Sequence, residues 1–383
     1  MMKANKIKEN LSIDKAFFQK EKILGIVDKI KKEVKSQKMY SIMEFCGGHT
    51  HSLLKYGILD LLPENVQMIH GPGCPVCVMS IERIDLAIEL AQNPDVIFCT
   101  YGDLLRVPGS KRKSLLHVKA DGYDVRMVYS SMDCIDIAKK NPNKEVIFFA
   151  LGFETTTPQT AYLIKYLKEN NIKNVSVVSN HVLTPSAIQH ILNAPELREM
   201  ESVPIDAFIG PGHVSTIIGY QPYEYFVEEF KKPVVISGFE PEDMLLSILY
   251  LIRCINNKTP KLINELSRAV TREGNLKAKK YVAEVFELRK VFKWRGLGNI
   301  PYSSLKIQQT FEEFDAEKRF FVTLPPPKEN KACICGHVLR GVKKPTDCPI
   351  FGKVCTPENP MGSCMVSSEG ACAAYYLYKN TKL

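Results

Sequence analysis

Short apolar segments alternate with amphipathic helical patterns from residue 40 onward, and this alternation constrains the fold more than any other feature of the sequence. The helical patterns place apolar residues three and four positions apart, as Ile81, Ile84 and Ile88 do. Strands joined through helices need crossover connections, which link parallel strands. We therefore predict an α/β protein. The strand candidates are Tyr40–Phe45, Val66–His70, Val96–Thr100, Val125–Tyr129, Glu145–Leu151, Val175–Ser179, Ala207–Gly210 and Val234–Ser237.

The strand candidates form two sets of similar organisation, which predicts two similar Rossmann-like halves, each a parallel sheet covered by helices. The loop Gly210-Pro-Gly-His213 of the second set even echoes Gly71-Pro-Gly-Cys74 of the first. A later proline run, 325–327, indicates a stiff spacer before the tail. The predicted divisions are an N-terminal helical segment (1–38), a first α/β domain (39–140), a second α/β domain (141–293), a linker (294–330) and a small C-terminal domain (331–383).

Two strand ends carry the residues with the most chemistry. Cys74 and Cys77 form a Cys-x-x-Cys pair where the second strand becomes a helix, and a helix N-terminus favours the thiolate. Cys46, His49 and His51 follow the first strand. Loops at the carboxyl ends of neighbouring parallel strands meet in one crevice, so these five side chains are expected to share a site. The alternative for the pair alone is two buried, inert cysteines.

Other strand ends leave two interpretations open. Glu154, in Gly152-Phe-Glu-Thr-Thr156, is either a general acid or base or a cap that accepts helix N–H groups. That loop lacks the Gly-Lys-Ser/Thr ending of a phosphate loop, so nucleotide binding is not supported. Asp103 and Arg106 either line the crevice or form a surface pair. His181 and His213 are interpreted as structural histidines near strand ends rather than metal ligands.

The tail concentrates half of the chain's 12 cysteines in its last 51 residues. Zinc fingers and ribbons usually bind through two short Cys-x2-4-Cys pairs, and this tail contains none. Single, widely spaced cysteines are more compatible with a four-thiolate iron–sulfur cluster, which makes 331–383 a predicted iron–sulfur domain. A structural zinc with spare thiols is the alternative. The tail cysteines are Cys333, Cys335, Cys348, Cys355, Cys364 and Cys372.

Composition and charge exclude several classes of protein. A 45% apolar and 24% charged composition is ordinary for a soluble globular chain of 383 residues. Much of the net charge of +9 comes from lysines in the first forty residues and near Lys277 to Lys280, and no basic stripe is interleaved with aromatics, so nucleic-acid binding is not expected. The apolar run 244–252 is too short to span a bilayer, and the charged amino terminus lacks a signal-peptide core. We expect a cytoplasmic protein in which cysteines serve metal or redox chemistry.

Taken together, these motifs resemble the hydrogenase maturation factor HypD family. The resemblance runs from about residue 40 to the end, with the motifs in the family's order. It implies a factor that helps assemble the iron centre carrying cyanide and carbon monoxide for [NiFe] hydrogenases, with a HypC chaperone that shares the iron and HypE as cyanide donor. The matching motifs are Cys46-Gly-Gly-His-Thr-His51, Gly71-Pro-Gly-Cys-Pro-Val-Cys77, Gly152-Phe-Glu-Thr-Thr156 and Met365-Val-Ser-Ser-Glu-Gly-Ala-Cys-Ala-Ala374.

The resemblance also implies roles for individual residues. Cys46 would hold Fe(II) jointly with a HypC cysteine. Cys74 and Cys77 would be the facing dithiol and part of the same iron scaffold, and His49 and His51 would support the site. In the tail, Cys335 and Cys364 would be a redox pair, similar to ferredoxin–thioredoxin reductase. The implied ligands of a 4Fe-4S cluster are Cys333, Cys348, Cys355 and Cys372.

Two other functions use part of the same pattern. A free-standing iron–sulfur-dependent protein disulfide reductase would need the tail and the Cys-x-x-Cys pair but not Cys46 with its histidines. A zinc-stabilised interaction module would need only the tail. The first interpretation is preferred because it uses all the cysteine motifs.

Overall fold

Two parallel sheets form the centre of the protein in the computed structural model, which describes residues 19–193, 205–328 and 330–379. The strands of these sheets are β1 (Tyr40–Glu44), β2 (Val66–His70), β3 (Val96–Thr100), β4 (Val125–Met127), β5 (Glu145–Gly152), β6 (Val175–His181), β7 (Ala207–Gly210), β8 (Val234–Ile236) and β9 (Leu262–Asn264). One sheet has the order β2-β1-β7-β8-β9 and the other β4-β3-β5-β6. Every pair of neighbours is parallel, so the predicted α/β class with parallel sheets is confirmed.

Helices connect and cover the strands. They are α1 (19–33), α2 (Gly47–Lys55), α3 (Ile58–Leu61), α4 (Pro75–Val78), α5 (Ile81–Ala91), α6 (Leu115–Ala120), α7 (Asp133–Lys140), α8 (Thr157–Glu169), α9 (Thr184–Asn193), α10 (Gly212–Ile218), α11 (Glu224–Glu228), α12 (Pro241–Asn257), α13 (Leu276–Val285), α14 (Ala316–Arg319), α15 (Cys335–Leu339) and α16 (Ala371–Lys379). Short 3-10 turns lie at Gly102–Arg106, Gln221–Tyr223, Gln309–Phe314, Pro345–Asp347 and Ser363–Met365. Within the described ranges, no helix has the length and apolarity needed to cross a bilayer.

The two sheets share one core. A single cluster of buried side chains includes Met43 and Ile69 from the first sheet and Phe98 and Phe149 from the second. The outer face of the five-stranded sheet is covered by α1 and α12, whose apolar residues pack on it. Strands buried on both faces explain why the sequence shows nearly continuous apolar runs rather than alternation.

The strands are divided between the sheets differently from the predicted boundary at residue 140. The chain builds β1 and β2, leaves to build the whole four-stranded sheet from β3 to β6, and then returns to add β7, β8 and β9 beside β1. Each predicted domain therefore contributes strands to both sheets. The sequence could not reveal this because all the strands have similar apolar composition, and hydrogen bonding between distant strands leaves no local pattern.

The predicted linker 294–330 is partly folded. β10 (Phe286–Trp294) and β11 (Gly298–Ile307) form an antiparallel hairpin, and the indole N–H of Trp294 donates to Ser303 Oγ at 2.8 Å in a buried position. The turn of the hairpin contains Gly296, which has a φ of 77°. The hairpin also bridges to Met79, next to the Cys-x-x-Cys segment. Residues 321–328, which follow α14 and include the proline run, have no regular secondary structure.

Candidate functional site

The two thiol-bearing loops are in direct contact. β1 and β2 pair in parallel with Glu44 opposite His70, so both loops leave the same edge of the sheet. The backbone N–H of Gly47 donates to the carbonyl of Gly73 at 2.9 Å. A Cβ atom at Gly73 would lie 2.6 Å from the backbone nitrogen of Cys46, so the loops approach this closely only because glycine stands there.

Cys74 and Cys77 form a disulfide, with 5.2 Å between their Cα atoms. Cys74 also caps the short helix α4, since its sulfur accepts the N–H of Cys77 at 3.1 Å. Both residues are at most 3% exposed. The disulfide therefore lies behind the loop surface, and Pro75 and Val76 between the two cysteines are the residues that face the neighbouring cavity.

Cys46 lines that cavity, and its sulfur contacts a histidine that follows β7, the strand next to β1 in the sheet. The sulfur lies 3.8 Å from Nδ1 of His213, at the start of α10. The His213 ring stacks on Phe239 at 4.0 Å between ring centroids. Burial, Glu369 and Glu44 together raise the pKa of the Cys46 thiol. A bound cation would reverse this, because metal binding favours the thiolate.

The histidines are arranged differently from the expectation. His49 is buried, places Nε2 3.2 Å from the carbonyl of Ser237 and has its pKa lowered by burial, so it is a neutral ring against the first sheet. His51 turns the other way, with Nε2 3.1 Å from the hydroxyl of Tyr378. His213, interpreted from sequence as structural, is the histidine that contacts Cys46. The echo of Gly71-Pro-Gly-Cys74 in Gly210-Pro-Gly-His213 was the signal that pointed to it.

Glu44 is a functional candidate that the sequence reasoning missed. It is fully buried and accepts the N–H of Cys46 at 2.9 Å. The same carboxylate accepts the hydroxyl of Thr50 and contacts Nδ1 of His70 at 2.9 Å. His70 in turn places Nε2 3.2 Å from the hydroxyl of Tyr375. A buried carboxylate thus fixes the backbone of Cys46 and connects it to the C-terminal helix. The sequence feature that could have indicated Glu44 is its position at a strand end, two residues before Cys46.

A cavity of about 670 Å³ opens beside Cys46, between the carboxyl ends of the two sheets. Asp103 and Glu369 both line it, and burial together with Asp103 and Glu44 raises the pKa of the Glu369 carboxyl. Arg106 does not form the surface ion pair with Asp103 that was one of the two predicted arrangements. It donates to the carbonyl of Val366 at 2.8 Å and so holds the tail against the cavity rim.

Glu154 is placed as a cap. Its carboxylate accepts the backbone N–H and the hydroxyl of Thr184, at 2.9 and 3.0 Å, where α9 begins. Its neighbours Phe153 and Thr155 line the cavity. Burial raises the pKa of Glu154 to about 7. His181 is also buried among structural partners, with Nε2 2.9 Å from the hydroxyl of Thr160 and a pKa lowered to about 3 by burial.

The raised pKa of Glu154 predicts a pH-dependent loss of stability. A carboxyl with a folded pKa near 7 and an ordinary unfolded value stabilises the fold below about pH 4.5 and loses that contribution as pH rises through 7. Glu154→Gln keeps an acceptor for Thr184 but does not titrate. Urea unfolding at pH 5 and pH 8 is expected to show the variant gaining about 2.5 kcal/mol on the wild type over this interval. A constant difference across the range would contradict the burial of an ionisable group here.

The six tail cysteines line one small enclosed space. Gly362 lies against them, since a Cβ there would be 2.6 Å from the sulfur of Cys333. The hydrogen bond with Cys333 lowers the pKa of the Cys335 thiol, but the Cys364 thiol and burial raise that pKa to about 12. All six are free thiols, so Cys335 and Cys364 are neighbours without a bond. Within residues 19–193, 205–328 and 330–379, no three or more His, Cys, Asp or Glu side chains are already arranged as a metal site.

The donor set nevertheless suits an iron–sulfur cluster. Six soft sulfur donors surround one small space, and thiolates are the ligands that such clusters use. The predicted ligands Cys333, Cys348, Cys355 and Cys372 are all among them.

The tail packs directly on the disulfide. The hydroxyl of Ser363 donates to the carbonyl of Cys77 at 3.0 Å, and Ser363 is adjacent in sequence to Cys364. The backbone N–H of Arg295 donates to Val78 at 2.8 Å, while its guanidinium donates to Ser363 at 3.3 Å. The hairpin, the tail and the Cys-x-x-Cys helix therefore form one contact, although they are distant in sequence.

The fold and these contacts define a class: a double-sheet α/β thiol protein in which a buried disulfide lies between a cysteine-lined cavity and a cysteine-rich tail. The chain belongs to the HypD family, whose model, described as "Hydrogenase formation hypA family", matches residues 21–379.

Curated relatives agree with this assignment. The chain is 58% identical to "Hydrogenase maturation factor HypD2" of Bradyrhizobium diazoefficiens over 362 residues, 94% of this chain and 95% of that protein. It is 58% identical to "Hydrogenase maturation factor HypD" of Cupriavidus necator over 92% of this chain and 93% of that protein. The corresponding protein of Escherichia coli is 44% identical over 88% of this chain and 89% of its own length.

Proposed function

We propose that this protein is a [NiFe]-hydrogenase maturation factor, a redox-active scaffold on which iron receives cyanide and carbon monoxide ligands. The observation that carries the proposal is the position of Cys46, which lines a cavity at the strand ends while its loop contacts the loop of the Cys74–Cys77 disulfide. Membership of the HypD family and relatives printed as hydrogenase maturation factors support the same assignment.

Iron is the cargo in this proposal, and Cys46 is its protein ligand. A thiolate is a soft donor that suits iron carrying cyanide and carbon monoxide. The backbone N–H held by Glu44 fixes the position of Cys46, and His213 at 3.8 Å offers a neutral nitrogen beside the sulfur. The cavity of about 670 Å³ leaves room for a cysteine of a HypC-type chaperone to complete the site.

The Cys74–Cys77 pair supplies the electrons in this scheme. Releasing cyanide from a thiocyanate on a HypE-type partner breaks a carbon–sulfur bond and takes two electrons. Two thiols provide them by becoming a disulfide, so a protein thiocyanate and a dithiol give a protein thiol, a disulfide and hydrogen cyanide, whose cyanide binds iron as it loses its proton. The disulfide in this structure corresponds to the oxidised form of the pair.

The tail would reduce the Cys74–Cys77 disulfide back to two thiols. Bound by Cys333, Cys348, Cys355 and Cys372, a 4Fe-4S cluster would supply single electrons next to the disulfide. The contact of Ser363 with Cys77 places this tail against the pair. Cys335 and Cys364, adjacent to each other in the same enclosed space, are the proposed redox pair.

Infrared spectroscopy of the protein purified anaerobically with its HypC-type and HypE-type partners tests this function. We expect stretching bands of iron-bound cyanide and carbon monoxide in the wild type. Cys77→Ala leaves Cys46 and the cavity intact, so iron is expected to bind while the cyanide bands fall to background. Iron content and band intensity are measured on the same sample.

The matched control is Cys254→Ala, which removes another buried free cysteine, on α12. It is expected to load cyanide like the wild type. Full cyanide loading in Cys77→Ala would exclude electron delivery by the pair, and absence of both bands in the wild type would exclude the assembly function itself.

A further inference from the structure

A second cavity, of about 400 Å³, opens on the other side of the cysteine-rich tail. Cys333 and Cys335 line both this cavity and the enclosed space that holds all six tail cysteines. The two cysteines thus form the wall between the thiol cluster and solvent. A partner that binds at this cavity would contact the tail cysteines without contacting the Cys46 site.

The charged lining of this cavity is entirely basic. Arg112, Arg295, Lys328 and Arg340 surround it together with His337, and no acidic side chain is among the described lining residues. None of the four cations forms an ion pair with any residue in the described ranges. Unpaired cations that converge on one opening attract an anionic partner.

Two of these cations are also poorly satisfied. Nε and Nη2 of Arg295 and Nε of Arg340 are buried from solvent, yet have no hydrogen-bond acceptor in the part of the chain that the structure describes. Buried donors without acceptors are costly, and an incoming carboxylate would relieve that cost. Four unpaired cations exceed what one small carboxylate neutralises, so the charge fits an acidic protein surface better than a single small anion.

We propose that this basic cavity is the docking site of an acidic electron-donor protein, which reduces the cysteine-rich tail one electron at a time. The inference rests on the proposed function, because it requires a cluster at the tail cysteines. In each encounter the donor would lose one electron, which a cluster held by the tail cysteines would accept. Two encounters and two protons convert the Cys74–Cys77 disulfide into two thiols. Electrons enter at Cys333 and Cys335 and leave towards Cys77, where Ser363 makes contact.

Charge reversal at the rim tests the docking site. Lys328 and Arg112 are exposed, so replacing both leaves the core unchanged. Lys328→Glu reverses one charge, and Arg112→Asp suits a backbone with a φ of 60°, since aspartate tolerates the left-handed region. The matched control reverses two exposed lysines of α1, as Lys29→Glu and Lys31→Glu, on a helix that covers the five-stranded sheet.

The probe is a small acidic [2Fe-2S] ferredoxin, and the first readout is its binding to the protein as purified, by fluorescence anisotropy at low and high salt. We expect the Lys328/Arg112 variant to bind about tenfold more weakly at low salt and with less salt dependence, while the α1 control binds like the wild type. The second readout is bleaching of the visible absorption by the photoreduced ferredoxin, which is expected to slow in the same proportion.

Reduced methyl viologen separates this inference from the proposed function. It is a small cation that gains nothing from a basic cavity, so it should reduce the Lys328/Arg112 variant at least as fast as the wild type. Failure of methyl viologen to reduce the tail or the disulfide in the wild type would count against the redox role itself. Equal ferredoxin binding by wild type and Lys328/Arg112 variant, or no binding by either, overturns the docking site. Binding of inorganic phosphate but not ferredoxin would make the cavity a small-anion site and overturn it too.

Discussion

Replacing Cys46 with Ala is expected to abolish hydrogenase maturation, with a loss of about 100-fold or more in hydrogenase activity of a strain that depends on this protein. The Cys46 thiolate is the only ligand that this chain is proposed to give the iron at the cavity, so its loss leaves the chaperone cysteine alone. His213 lies 3.8 Å from that sulfur but offers a nitrogen rather than a second thiolate. Hydrogenase activity in cell extracts and iron bound to the purified complex are the two measurements.

The control for this substitution is again Cys254→Ala, because both replacements remove one buried sulfur while only Cys46 lines the cavity. Unfolding in urea shows whether either variant is destabilised. Normal maturation by a folded Cys46→Ala protein would contradict the scaffold role. If that protein also retained reduction of Cys74–Cys77, it would support an iron–sulfur-dependent protein disulfide reductase, which has no need of Cys46.

Replacement of Cys355 or Cys372 with Ala is expected to remove the iron–sulfur chromophore. Wild-type protein purified without air should be brown and contain about four iron and four sulfide ions per chain at this site. Both cysteines line the enclosed space, so loss of either leaves the cluster one ligand short. Visible absorption, iron and sulfide are measured together, and iron and sulfide in the variants are expected to fall to near zero.

Cys134→Ala is the matched control for the tail, because Cys134 is a fully buried free cysteine in the core of the four-stranded sheet. It should keep the colour and the iron. If the wild-type protein were colourless and contained zinc, the tail would hold a structural metal instead of a cluster. The proposed electron source for reduction of the disulfide would then also be excluded.

Much of the secondary structure followed from local pattern. The bounds predicted for the strands Val66–His70, Val96–Thr100 and Ala207–Gly210 agree with the structure, because short, mostly apolar runs flanked by turn residues specify a buried strand locally. The convergence of the Cys46 and Cys74 loops was also predictable, since both end neighbouring parallel strands. The local pattern does not show which strands pair with each other. For this reason the predicted boundary at residue 140 passes through the middle of both sheets.

The site shows the same division. Glu44 was missed and His213 was interpreted as structural because their importance lies in contacts with Cys46, one across a turn and the other across 167 residues. His51 was expected beside Cys46, but the helix turns it towards Tyr378. The hairpin inside the predicted linker 294–330 was missed because a buried indole on a hairpin and an exposed one in a linker share the same glycine-rich surroundings in sequence.

The sequence by itself determined the α/β class, the family, the thiols that end the first two strands and the concentration of cysteines in the tail, since these depend on residue type, order and short-range spacing. Only the tertiary structure decided that two sheets interleave along the chain, that His213 reaches Cys46, and that the tail lies between the disulfide and a basic cavity. The physical reason is that packing and hydrogen bonding between distant segments select among arrangements that local periodicity leaves equal.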